Sequence, residues 1–279
     1  MKSGLVIESN KEYHSDLTAI SKSRLCKMSV CPQYFKWCEE NPQEPTEDLI
    51  FGSAFHKFVL EREDFEKEFC VIPNIDKRTK AGKEMYLSFL EENKEKEIIT
   101  EEQIETICNM DNSLRKNKYA NVLLDGVKEQ SIYFTDTVSG IECKIRPDCL
   151  KVLQNGNIVI TDLKSCKSAM PEDFMRDIAK YSYDLQAYMY CYGVSLAYNV
   201  PMDNVSFCFI AVEKKEPHLA GIYEANNDIL QRGEMLFRKY IGQLKYCREN
   251  DNWYGYNGFT QAPMSIGLPE YLLKNNKGE

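Results

Sequence analysis

Ile145 to Ser165 reads IRPDCLKVLQNGNIVITDLKS. Two apolar, β-branched runs flank Asn155-Gly156-Asn157, the composition of a hairpin turn. Asp148 follows Pro147 on the first arm, and Asp162 and Lys164 stand two apart on the second. A period of two puts Asp162 and Lys164 on one face of their strand. Paired positions of a hairpin have numbers with a constant sum. Asp148 joins that face only if the sum is even, which requires an odd-length loop or a bulge. A loop of Asn155 to Asn157 sets Asp148 opposite Lys164. Two carboxylates and an ammonium then converge at the end of a buried sheet, where unpaired charge is costly. NIVITDLKS is apolar on both faces ahead of its acid, which marks a central, covered strand. A salt-bridged surface hairpin has no need of such a strand, so the pattern reads as a site.

Outward from the hairpin, three antiparallel strands are predicted at about 129–135, 141–151 and 158–164. Tyr181 to Tyr198 is a long aromatic helix on which Gln186 and Tyr190 share a face. Val205 to Val212 is an apolar strand that returns to the sheet after it. Strand, crossover helix and strand imply a mixed α/β sheet. Asn226 to Glu249 is an amphipathic helix, and the apolar tail after it is expected to pack.

Upstream, residues 1–15 read as a short strand or extended lead-in. Ser21 caps a helix from Lys22 to Met28, and Pro32 begins another. Leu49 to Glu61 is a helix with Gly52 and His56 on one face. The glycine admits a neighbouring backbone. Taken alone, His56 reads as a core histidine bonded to a carbonyl. Lys77, Arg78, Lys80 and Lys83 form a basic cluster that reads as a solvated patch, with phosphate contact as the alternative. Thr100 and Gln103 form a capping box for a helix to about Lys116.

The chain has 279 residues, 43% of them hydrophobic, with 17 Tyr and 13 Phe, so it can bury a sizeable core. Residues 1–279 read as one domain: a helical part at about 15–125, a catalytic sheet core at about 126–215, and a C-terminal helix and tail at 216–279. No signal-like leader or long apolar run stands out, so a cytoplasmic location and no membrane partner are expected. The eleven cysteines form no CxxC pair, and Cys26, Cys31 and Cys38 fit no compact zinc spacing. A net charge of −8 excludes a generally basic DNA-coating surface but allows a local basic lining.

Paired carboxylates suit Mg²⁺ or Mn²⁺, which favour oxygen ligands. Such a cation polarises a phosphodiester and acidifies a bound water. A lysine beside that water can orient it, help deprotonate it, or offset charge on the phosphate.

RPD at 146–148 followed by DLK at 162–164 resembles the PD-(D/E)xK nuclease superfamily. FGSAFHKFVLE at 51–61 is similar to that family's G-x-x-x-H helix, and QAYMY at 186–190 to its Q-x-x-x-Y helix. RTKAGKE at 78–84, IITEEQIETICNM at 98–110 and the tail with WYGY and LPEY resemble the RecE-type exonucleases, a group that includes exodeoxyribonuclease VIII and phage relatives. The similarity runs from about Ser21 to Leu273. It implies a restriction-endonuclease-like α/β core, with a central mixed sheet flanked by helices. It implies His56, Asp148, Asp162 and the Leu163 carbonyl as metal ligands, and Lys164 as the catalytic lysine. Gln186 and Tyr190 would support the site or touch DNA, and Arg78, Lys80 and Arg146 would contact phosphates. Glu129 is similar to an acid on the first core strand, where a structural contact is an equal reading. Some relatives hold an iron–sulfur cluster on a C-terminal cysteine trio. Here only Cys247 follows Cys208, and no cluster is expected.

The resemblance implies a Mg²⁺- or Mn²⁺-dependent exonuclease that digests linear double-stranded DNA from 5′ ends in a phage or prophage recombination system. A single-strand annealing protein would be its partner and a tetramer its assembly. Two rivals stand beside this. One is another nuclease mode on the same core, an endonuclease, or a single-strand or opposite-polarity exonuclease. The other is a catalytically inactive DNA-end-binding protein, against which the intact His56, Asp148, Asp162 and Lys164 set speaks.

Overall fold

A proline cannot donate to a strand ladder, and Pro147 divides the strand predicted over 141–151 into two that join different sheets. The computed structural model describes residues 2–269. Its N-terminal elements are β1 (Gly4–Val6), α1 (Asn10–Ser15), α2 (Lys22–Leu25), α3 (Pro32–Glu40), α4 (Glu47–Leu60), α5 (Phe65–Glu68), β2 (Phe69–Ile72), α6 (Lys80–Glu92), β3 (Glu97–Thr100), α7 (Glu101–Arg115) and α8 (Lys118–Leu123). There follow β4 (Val127–Lys128), β5 (Ser131–Thr135), β6 (Glu142–Ile145), β7 (Cys149–Val152), β8 (Ile158–Cys166), α9 (Pro171–Lys180), α10 (Tyr183–Tyr198), β9 (Val205–Glu213), β10 (Ala220–Glu224) and α11 (Asn227–Asn250).

The main sheet has the order β10-β9-β8-β7-β4. Only its β8–β9 pair is parallel, so the sheet is mixed, as the crossover from β8 through α9 and α10 to β9 requires. A second sheet, β1-β5-β6, takes the strand before Pro147, and β2 pairs with β3 in a third. The three predicted antiparallel strands therefore do not form one sheet.

Alternation along β8 assigns its faces. Ile158 and Ile160 enter a core with Phe207, Phe209, Leu185, Met189 and Phe237, under α10 and α11. Leu163 enters the opposite core with Phe55, Phe58, Ile107 and Leu114, under α4 and α7. Full burial of each such side chain contributes about 1.5–3 kcal/mol. Asp162 and Lys164 share the parity of Ile158 and Ile160, so they face α10. Local signals behave as read. Thr100 and Gln103 close their capping box, and Pro32 opens α3. Trp253 stacks on Phe35 with ring centroids 5.9 Å apart, and Tyr254 is buried, so the start of the tail packs. Residues 261–269 are exposed, contrary to the expectation for that stretch, and the last two residues of LPEY lie outside the described residues.

Candidate active site

The register of the β7–β8 hairpin is Cys149↔Thr161 through Val152↔Ile158, a constant sum that brings Asp148 level with Asp162. The parity is the predicted one, but the partner is not, because Asp148 does not lie opposite Lys164. The Leu153 N–H donates to the Asn157 carbonyl at 2.7 Å, so the chain turns one residue earlier than the Asn-Gly-Asn signal suggested. The two acidic residues are consequently level across the hairpin, and Lys164 stands one pleat beyond.

β7 begins only at Cys149, opposite Thr161, while β8 continues to Cys166, leaving that edge of β8 unpaired beside the acids. The Leu163 N–H on that edge donates to Asp148 Oδ2 at 2.6 Å. The N–H and C=O of one strand residue point to the same side, so the Leu163 carbonyl faces the acids too. Its partner by register would be Pro147, which has no N–H to offer. A proline in the RPD motif thus leaves a carbonyl free where the resemblance implies a ligand.

His56 projects from α4, and its Nδ1 lies 3.3 Å from Asp148 Oδ2. An added Cβ at Gly52 would meet Ser165 Oγ at 3.9 Å, an ordinary contact, so the predicted tight backbone approach at that glycine is absent. Glu129 joins the group: one ligand atom each from His56, Glu129 and Asp148 lie within 4.8 Å of one another. Glu129 adopts φ 51°, a left-handed conformation uncommon outside glycine.

Asp162 is buried and its two oxygens differ. Oδ1 accepts a hydrogen bond from Gln186 Nε2 at 2.5 Å. Oδ2 is buried and faces the Lys164 ammonium at 2.5 Å. Tyr190, one turn after Gln186, packs edge-on against Phe207 at 6.0 Å. Burial, reinforced by Tyr13 and both acids, holds its hydroxyl well above the usual range.

The charges are interdependent. Burial works against ionising Asp148, but protonated His56, Lys164 and the Leu163 N–H lower its pKa overall. Burial raises the Asp162 pKa and the Asp148 charge adds to it, beyond what Lys164 offsets. Burial would discharge Lys164, but the two carboxylates prevail and hold it as an ammonium. Burial and then Asp148 push Glu129 up to about 7, only partly countered by His56 and Arg146. Three acids thus share one recess in which burial opposes their ionisation. Hard oxygen donors and an imidazole fit a divalent cation. His56, Glu129, Asp148, Asp162 and the Leu163 carbonyl are the groups that would hold it.

The basic residues fall elsewhere. Arg146 was expected to contact phosphate. Its guanidinium is instead buried, donating to Glu129 at 2.8 Å, Ser131 Oγ at 2.6 Å and the Glu8 carbonyl at 3.2 Å. It anchors Glu129. Arg78 pairs with Asp76 at 2.9 Å and Lys80 lies 3.9 Å from Glu84, both almost fully exposed. Two residues went unread. Tyr183, three before Gln186 on the same helical stripe, has its ring centroid 4.8 Å from Lys164 Nζ. Lys22, read only as a helix's first residue, lies over the same ring at 5.4 Å.

A family model described as a PDDEXK-like domain of unknown function (DUF3799) matches residues 21–262. The crystal structure of a candidate exonuclease from Eubacterium rectale superposes with a TM-score of 0.64 at 14% identity, over 96% of this chain and 98% of that one. It shares the fold. The structure of SSO0001 superposes with a TM-score of only 0.36 at 12% identity, over 82% of this chain and 81% of that one. No curated protein matches.

Proposed function

The chain belongs to this PDDEXK-like family, and from that premise we propose that it is a divalent-metal-dependent DNA exonuclease acting on linear duplex ends. The observation that carries the reading is the convergence of His56, Asp148, Asp162 and Lys164 at one unpaired strand edge. A bound Mg²⁺ or Mn²⁺ supplies Lewis-acid polarisation of the phosphodiester and a more acidic water. Lys164, held as an ammonium, orients the attacking water and offsets charge on the phosphate. Gln186 fixes the rotamer of Asp162, and the Leu163 N–H with His56 fixes Asp148. Tyr190 lines the apolar wall behind them.

The finer features rest on the RecE-type resemblance. They are 5′-to-3′ digestion, a 3′ single strand passed to an annealing protein, a tetramer around DNA, and one nuclease domain over residues 1–279. Arg78 and Lys80, both exposed and paired only with surface carboxylates, are suited to phosphates of the incoming duplex. No helix among the described residues is long and apolar enough to cross a membrane.

The test is degradation of linear duplex DNA with each 5′ end labelled in turn, in Mg²⁺ and in EDTA. A closed circle and Asp162→Asn run alongside. Metal-dependent loss from 5′ ends, a spared circle and a dead variant that still binds DNA are expected. Loss from 3′ ends would replace the polarity, and a cut circle would replace the exonuclease mode. No cleavage with metal-independent binding to ends would leave a DNA-end-binding protein.

A further inference from the structure

Beside Lys164 lies a set of rings and cations that the proposed chemistry does not use. α9 ends at Lys180 and α10 begins at Tyr183, joined by Tyr181 and Ser182. Ser182 adopts φ 52°, so a non-glycine residue turns the chain through the left-handed region. The turn brings the Tyr181 and Tyr183 rings within 5.6 Å at an interplanar angle of 33°. Tyr183 is anchored among Phe174 and Phe209, at 6.2 and 6.1 Å. Tyr181 is not, and is 47% exposed. Three ammonium groups surround this pair. Lys164 and Lys22 lie over Tyr183 at 4.8 and 5.4 Å, and Lys180 lies over Tyr181 at 4.8 Å. Lys22 Nζ also donates to the Tyr181 carbonyl at 2.9 Å.

In a chain with a net charge of −8 three lysines gather around two rings, and the contact of Lys180 with exposed Tyr181 is worth only about 0.5–1 kcal/mol to stability. A half-exposed aromatic ring flanked by cations suits an unstacked base with its phosphates. A base inside a duplex has no free face to offer.

We propose that Tyr181, Lys22 and Lys180 form a subsite for one unpaired nucleotide adjoining the scissile phosphate. Tyr181 stacks on the base while Lys22 and Lys180 hold the neighbouring phosphates. Tyr183, wedged between Lys22 and Lys164, ties this subsite to the hydrolytic centre. The substrate strand is accordingly parted from its complement where it reaches Lys164. The proposal rests on the nuclease reading and adds that the strand is single at the site.

The experiment places 2-aminopurine at successive positions of a linear DNA end, bound by the full chain with Ca²⁺ in place of Mg²⁺, and measures cleavage kinetics in Mg²⁺. One position should be quenched in the wild type and in Tyr181→Phe, and unquenched in Tyr181→Leu. Tyr181→Leu should raise KM about 10- to 100-fold, the range of one lost base stack, with little change in kcat. Lys22→Gln and Lys180→Gln should each lower the slope of log affinity against log salt by about 1. Tyr181→Leu with wild-type KM and quenching would overturn the subsite, as would a lower melting temperature as its only effect. A wild type that cuts no DNA would overturn the nuclease reading instead, and quenching and salt slopes would then judge the subsite alone.

Discussion

Gln186→Leu removes one amide from the site at nearly constant volume. That amide is the hydrogen-bond donor to Asp162 Oδ1, on a carboxylate whose other oxygen meets Lys164. A hydrogen bond to a charged group is worth about 1.5–3 kcal/mol. At about 1.36 kcal/mol per factor of ten, its loss should lower cation affinity or turnover about 10- to 150-fold. The pH dependence follows in sign. Asp162 must be ionised to hold a cation, and burial already raises its pKa. Without the amide it keeps its proton to a still higher pH. Activity of the variant should begin to rise at higher pH than the wild type's, and the defect should shrink in alkali. Initial cleavage rates from about pH 5 to 9, with Mn²⁺ titration calorimetry, would measure both effects. Wild-type rates and Mn²⁺ affinity at every pH would refute the reasoning, and a pH-independent loss with normal affinity would place the amide's role elsewhere.

Arg146→Gln separates two roles for that side chain. As an anchor for buried Glu129, its loss should cost about 3–5 kcal/mol in urea unfolding, with the salt dependence of DNA binding unchanged; weaker binding with unaltered stability would restore the phosphate contact. Glu129→Gln should change how stability varies with pH. Folded Glu129 titrates at about 7, against an ordinary value of 4.5, so between the two the folded state keeps a proton that the unfolded chain has released. Stability from this group therefore falls as pH rises through that window, and the metal-free variant should lose less over it than the wild type; parallel losses would contradict the assignment. Gly233→Ala would place a Cβ 2.1 Å from the Asp184 carbonyl oxygen where α11 crosses α10, and should destabilise the fold by about 1–3 kcal/mol. An unchanged urea midpoint would show that the helices separate freely there.

Local patterns carried most of what was legible beforehand. The period of two in β8 and the Asn-Gly signal identified the hairpin, and the parity argument placed both carboxylates on one face. The exact partner was not legible, because the hydrogen bond from Leu153 to Asn157 that closes the turn has no composition signature. Pro147 was visible, but apolar alternation on both sides suggested a continuous strand, and only the tertiary pairing of β6 with β5 shows the change of sheet. Arg146 illustrates the limit most sharply. Its motif pointed to phosphate, whereas its environment is set by Glu8, Glu129 and Ser131. Lys22 lies far from Tyr181 in sequence, and no spacing rule joins them.

The parallel pairing of β8 with β9 bears on how the protein is made. Asp162 is flanked by Phe209, a residue the ribosome adds only after the whole of α9 and α10. Non-local parallel contacts form late and slowly, because the intervening chain must first be ordered. Gln186 comes from that crossover, His56 from a helix synthesised long before it, and Asp148 from the joint between two sheets. A nascent chain carrying the complete DLK motif therefore has no assembled site. Any DNA-cutting capacity would arise in one step, when β9 docks, so a truncated product ending before Val205 should be harmless to the DNA around it.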